Sequence, residues 1–214
     1  MNTRRTIQIV SLAVTAATAC WTAAANAADP INQILARNAT QQARIHDALA
    51  SDRMDPLRAA QVQQRAAEVY RQQAEVVAAK PDAQQQEALR QAQRDLAGAI
   101  AWAEKHPAHN KGGAMDRTRL EVASKRDAEQ QRMIAREYAS GRLTPDQVAT
   151  LQDAQAKIAA AQYDEVADGA TTREEARAIQ GAQDVLDYSI LRDPSVATMM
   201  SLQPDGQESA QANG

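Results

Sequence analysis

The sequence predicts an all-α protein: two tandem copies of a three-helix antiparallel hairpin or bundle unit. Three observations carry this. Alanine, glutamine, arginine and glutamate dominate, aromatic residues make up 3% and phenylalanine is absent, so no stretch alternates like a half-buried strand. The chain repeats itself about 89 residues on, Ala50-Ser51-Asp52-Arg53-Met54-Asp55-Pro56 returning as Ala139-Ser140-Gly141-Arg142-Leu143-Thr144-Pro145, and Ala92-Gln93 returning as Ala182-Gln183. The larger apolar residues fall in narrow stripes at helical spacing, and much of the 44% hydrophobic content is alanine, which contributes little apolar area.

Residues 1–27 read as an export leader. Arg4 and Arg5 form a basic start, Ile7 to Ala19 an apolar run, and Ala25-Asn26-Ala27 a small-x-small cleavage site. Gln8, Thr15, Thr18 and Thr22 dilute the run as a permanent span. Cys20 offers a lipoprotein alternative but lacks a large aliphatic residue three places before it. Cleavage after Ala27 leaves a periplasmic or secreted chain with no cysteine, hence no disulfide and no thiol chemistry.

The first unit spans 28–105, with helices expected at about 30 to 51, 56 to 79 and 83 to 105. Asp29-Pro30 and Asp55-Pro56 each offer a cap followed by proline at the first helical position. Val62, Ala66, Val69, Gln73 and Val76 set the stripe of the second helix, and Leu89, Ala92, Leu96, Ile100 and Ala103 that of the third. Residues 106–116, containing His106, Pro107, His109, Gly112 and Gly113, read as a linker.

The second unit spans 117–196, with helices at about 117 to 140, 145 to 167 and 173 to 192. Leu151, Gln155, Ile158 and Gln162 repeat the stripe of the first unit, as do Ile179, Ala182, Leu186 and Ile190. Gly141 and Gly169 stand where helices should stop. Residues 197–214 read as a disordered tail.

Three local patterns bear on function. Leu143-Thr144-Pro145-Asp146-Gln147 resembles the L-T-x-x-Q motif of the Spy and CpxP periplasmic chaperones. The same residues also make a capping box from Thr144 and Gln147. Asp164 to Glu175 counts like a calcium-binding EF-hand loop, with Asp164, Asp168, Thr172 and Glu175 at ligand positions and Gly169 at the sharp turn. Val166 stands where an oxygen ligand belongs, and Thr172 with Glu175 makes sense as another capping box. His106 and His109 are three apart in the linker, but no ligand set around them is readable.

From Arg132-Met133 through Ala167-Asp168-Gly169 and Glu175 to Ala182-Gln183-Asp184, the chain also resembles a family of small exported proteobacterial helical proteins. Their pattern runs R-I-x-x-G-x-x-S-G-x-L-T-x-x-E, then A-D-G-x-x-T-x-x-E. Here Glu137 stands at the first glycine, Gln147 at the final glutamate of the first segment, and Asp52 at the second glycine of copy one. The resemblance implies fold and compartment and carries no active residues, since the family has no established activity. The present chain looks like a tandem duplication of that unit.

No nucleophile elbow, phosphate-cradling glycine loop or H-E-x-x-H motif is present, so the expectation is a protein that is not an enzyme. The whole-chain charge is -3, and basic residues alternate with acidic ones, which speaks against a nucleic-acid stripe. The expected function is an exported helical interaction protein, chaperone-like, binding protein clients or an envelope partner. Leu143, Leu151, Ile158, Val62 and Val69 are the candidate contact residues. Weak calcium binding at 164–175, and a purely structural or homodimerising role, are the alternatives. No cofactor is expected apart from that calcium ion.

Overall fold

The computed structural model describes residues 29–78, 82–106, 114–167 and 172–199. The expected leader, Asp168, Gly169, His109 and residues 200–214 lie outside these. Six α-helices are present among the described residues: α1 (Pro30–Ala50), α2 (Pro56–Ala78), α3 (Ala83–Lys105), α4 (Ala114–Ala139), α5 (Pro145–Ala167) and α6 (Arg173–Leu191). A 3-10 helix, Pro194–Met199, follows. The all-α class is as the composition predicts.

Each start has a visible cause. Asp29 Oδ1 accepts from the Ile31 amide (2.9 Å) and Asp55 Oδ1 from the Arg58 amide (3.0 Å), satisfying amides that the first turn leaves without helical partners. Thr144 and Gln147 form the reciprocal capping box of α5, with the Gln147 amide donating to Thr144 Oγ1 (3.3 Å) and the Thr144 amide to Gln147 Oε1 (2.9 Å). Asp82 with Gln85 caps α3, and Thr172 with Glu175 caps α6 in the same way 90 residues later.

The turns between first and second helices need a left-handed residue. Gly141 supplies it at φ 77°, and its counterpart Asp52 does the same at φ 57°. Beside Gly141 the Arg142 amide donates to the Glu137 carbonyl (3.0 Å), closing the end of α4. The buried Glu137 carboxylate is paired there with Arg136 (3.1 Å) and with Arg142. A Cβ on Gly141 would meet nothing within 4 Å, so replacing it costs only backbone strain. Gly141→Ala should lower stability by about 1 kcal/mol in a urea melt; no change would mean the turn relaxes out of the left-handed region.

The two units do not sit as beads. Among the described residues the most extensive packing joins α2 to α5, followed by α1 to α4, so helices pair with their own duplicates. Like-to-like pairing is the signature of two-fold related units. Within a unit α1 meets α2 only slightly, while α3 lies across α2 and α1, and α6 across α5 and α4. The hydrophobic clusters cross the boundary accordingly. Leu120, Ala156 and Ala159 join the core of the first unit, and Leu35 and Val77 join that of the second.

The second unit ends later than its periodicity implies. Ala197, read above as the start of a disordered tail, is buried in the cluster that holds Leu143, Leu151, Leu186 and Ile190. Asp193-Pro194 breaks α6, and the chain folds back as the 3-10 helix against α5 and α6. In the first unit α3 instead continues to Lys105.

Candidate functional site

All five apolar residues proposed from sequence as partner contacts are core. Leu143, Leu151, Ile158, Val62 and Val69 are buried, and the last four lie on α2 and α5, the helices that join the units. The correction has a simple cause. A narrow apolar stripe on a helix is buried by whatever packs on it, and here the duplicate helix does so. Leu143, Leu151, Ile158 and Val69 offer no surface to a partner in this packing, and Val62 only a sliver in the wall of the groove between α2 and α3.

The 164–175 segment is divided between two helix ends. Asp164 lies exposed in the last turn of α5, Thr172 is the cap residue of α6, and Asp168 falls outside the described residues. Glu175 spends its carboxylate on the cap: Oε2 accepts from the Thr172 amide (2.8 Å) and from Thr172 Oγ1 (2.8 Å). These bonds hold its carboxyl below the usual range. Because Asp82 and Gln85 make the same box in the first unit without a carboxylate at the third position, capping accounts for Thr172 and Glu175 by itself. Among the described residues no group of three or more His, Cys, Asp or Glu is arranged to hold a metal. His106 ends α3 and stacks on Trp102 (4.8 Å between rings), while His46 faces Ser124 (3.4 Å).

Where an apolar core would be expected the structure places amides, in duplicate. Gln42 and Gln63 exchange two hydrogen bonds (2.9 and 3.1 Å), and their counterparts Gln131 and Gln152 do the same (3.2 and 3.1 Å). Gln41 donates to the Gln93 carbonyl (2.7 Å) as Gln130 donates to that of Gln183 (3.0 Å). In the first unit Asn38 donates to Gln73 (2.5 Å) and accepts from Gln93 (2.9 Å). Buried amides bonded in this way tie α1 to α2 and α3 by direction as well as by contact, although Gln41 Oε1, Gln73 Nε2 and Gln130 Oε1 are buried without a partner.

In the second unit an aspartate stands where Asn38 does. Asp127 is fully buried, with Oδ1 accepting from Gln155 (3.1 Å) and Gln183 (2.9 Å) and Oδ2 from Gln162 (2.8 Å). Burial pushes its carboxyl up to about 6, against the three amides and the neighbouring Arg126, which favour the charged form. Arg126 is itself engaged by Asp184 and Asp187 at 2.5 Å each. Sealed from solvent and without a nucleophile beside it, Asp127 orients amides and reaches no substrate.

The surface tells the two units apart. Between α2 and α3 runs an open groove of about 430 Å³ whose walls include Arg58, Arg65, Val62, Gly98, Ala99 and Trp102. Trp102 is 48% exposed, and the Arg58 guanidinium lies 4.6 Å from its ring centre while also donating to Gln61 (2.8 Å). An aromatic face beside two cations has the chemistry to hold carboxylates and flat groups.

Neither feature was among the sequence-derived candidates. Gln73, Gln155 and Gln162 interrupt the apolar stripes, and Ala-Gln recurs in both copies, so buried amides had a visible trace. The groove had none, because Arg58, Arg65 and Trp102 meet only once α2 and α3 are docked. No protein-family model, characterised protein or solved structure matches the chain.

Proposed function

We propose that this chain is an exported, non-catalytic interaction protein that recognises a partner on a preformed surface of its first unit. The observation that supports this most directly is the contrast between the buried apolar stripes and the exposed Trp102 flanked by arginine. A holdase that shields unfolded clients needs adaptable apolar surface, and here most large aliphatic side chains are spent in the two clusters, with Val122, Leu191 and Met199 exposed apart from them. The compartment rests on the leader of residues 1–27. No described helix is long and apolar enough to cross a membrane.

Light scattering of an aggregating client separates this reading from its chaperone-like neighbour. The expected result is no suppression at a one-to-one ratio, whether or not millimolar calcium is added. Suppression near stoichiometry would overturn the preformed-surface reading and make opening of the bundle the next question. A calcium-dependent rise in melting temperature would instead restore the 164–175 loop as a site.

A further inference from the structure

We propose that the α2–α3 groove is the docking site for a short acidic, turn-forming peptide segment of a partner protein, held by Arg58 and Arg65 and packed against Trp102. This rests on the interaction-protein reading and names its partner by chemistry.

The molecule itself indicates what fits such a groove. Counting 89 residues along α2 and 90 along α3, the walls Arg58, Val62, Arg65, Ala99 and Trp102 correspond to Gln147, Leu151, Ala154, Ser189 and Arg192. In the second unit Leu151, Ala154 and Ser189 are buried, and the 3-10 helix packs on α5 and α6 with Ala197 set into the same apolar cluster. Residues 193–199 thus close the second groove. The segment is a self-braced turn, since Asp193 Oδ1 accepts from the Ser195 amide (3.0 Å) and from Ser195 Oγ (2.7 Å). Its buried side chain is small.

The first groove has no such cover among the described residues, and its chemistry differs where a foreign segment would need recognition. Arg65 is exposed where Ala154 is buried, and Ala99 is half-buried where Ser189 is covered. A Cβ at Gly98 would meet nothing within 4 Å. Arg58 Nε is buried with no hydrogen-bond partner, although Gln61 and Trp102 hold the guanidinium in place. No carboxylate among the described residues forms an ion pair with Arg58 or Arg65; the ion pairs of α3 are made by Glu87 and Glu104 with other arginines. Two guanidinium groups on the walls of one open groove, neither paired with a carboxylate among the described residues, select for a carboxylate, which two parallel N–H groups can bind. A turn carrying one acid and small apolar side chains matches the volume and the charge together.

The test uses the whole chain with Trp21→Phe, which leaves Trp102 as the single tryptophan of two. The probe is an N-acetylated seven-residue peptide with the sequence of residues 193–199, bearing one aspartate and a free C-terminal carboxylate. Its addition should change Trp102 emission saturably. Arg58→Gln with Arg65→Ala, the residues the second unit carries at those places, should weaken binding about tenfold or more without moving the melting temperature. Asparagine in place of the peptide aspartate should weaken it as well. Absence of a saturable change at millimolar peptide, or binding that ignores the arginine substitutions, would overturn the proposal. So would an emission change that follows protein dilution rather than peptide, because the occupant would then be a second copy of the chain. Client suppression in the scattering assay sinks the interaction-protein reading whatever the peptide does; a failed peptide without client suppression sinks only the occupant named here.

Discussion

Cutting the chain between its units should abolish the fold of both. Residues 28–106 and 107–214, produced separately, are expected to lose most of their far-UV helicity at micromolar concentration and to regain it when mixed. The reason lies in which faces each unit leaves open. With α2 paired to α5 and α1 to α4, an isolated first unit would expose Leu35 and Val77, which sit in the second unit's cluster, while keeping only the slight α1–α2 contact and the docking of α3. Burying a Val or Leu side chain is worth about 1.5–3 kcal/mol, and a domain of this size has only about 5–15 kcal/mol in all. Loss of the shared seams is therefore comparable with that margin. The intact chain should correspondingly melt in one transition. A half that melts cooperatively as a monomer would show that each unit holds its own core. A half that folds only as its concentration rises would show like-to-like pairing recreated between two chains, the behaviour expected of a duplicated homodimer.

That arrangement marks the limit of what one-dimensional pattern reveals. Helix starts were legible because their causes are local: Asp29, Asp55, Thr144 and Thr172 each bond an amide two or three residues ahead. The stripes were legible as buried faces, but a stripe does not say what buries it, so Val62, Val69, Leu151 and Ile158 read equally well as client surface and as core. The duplicate supplied the cover. The start of α4 at Ala114 and the folding back of Pro194–Met199 were missed for a related reason. Residues 114–116 carry no regular apolar stripe, and a tail with a single buried alanine has no period to detect. Comparison of the units then does what a lone sequence cannot. The paired amides, the left-handed turn residue and the third-helix caps recur in both, which assigns them to the fold. Arg58, Arg65 and Trp102 occur once, and the fold manages without them in the second unit.

Acidification from pH 7 to pH 4 should strengthen the contribution of one buried group rather than weaken it, and Asp127→Asn should remove the effect. Asp127 is raised from the ordinary 3.8 to about 6 by burial. Between those values the native state holds a proton that the unfolded chain has released, so folding is favoured as pH falls through 6 and the gain is complete below about 4. Above pH 6 both states are ionised and the native state bears the full cost of a charge taken out of water, on the order of 3 kcal/mol for a displacement of this size. Ion-paired carboxylates respond oppositely. Glu104, held low chiefly by its hydrogen bond from Arg44, contributes stability above its unfolded value and loses it as pH falls. Only the difference between wild type and variant therefore isolates Asp127. The variant is one the molecule already tolerates: Asn38 occupies the duplicate position, accepting from Gln93 and donating to Gln73. Gln162 Oε1, buried without a partner beside Asp127, is the acceptor an asparagine amide needs once the Gln162 amide turns over. In urea melts Asp127→Asn should exceed wild type by about 1–3 kcal/mol at pH 7, with the difference closing towards pH 4. A variant that is weaker at pH 7, with a difference that does not change with pH, would mean that the three amides stabilise the carboxylate more than burial penalises it. The amide layer would then have been built for the charge, and the asparagine of the first unit would be the departure from it.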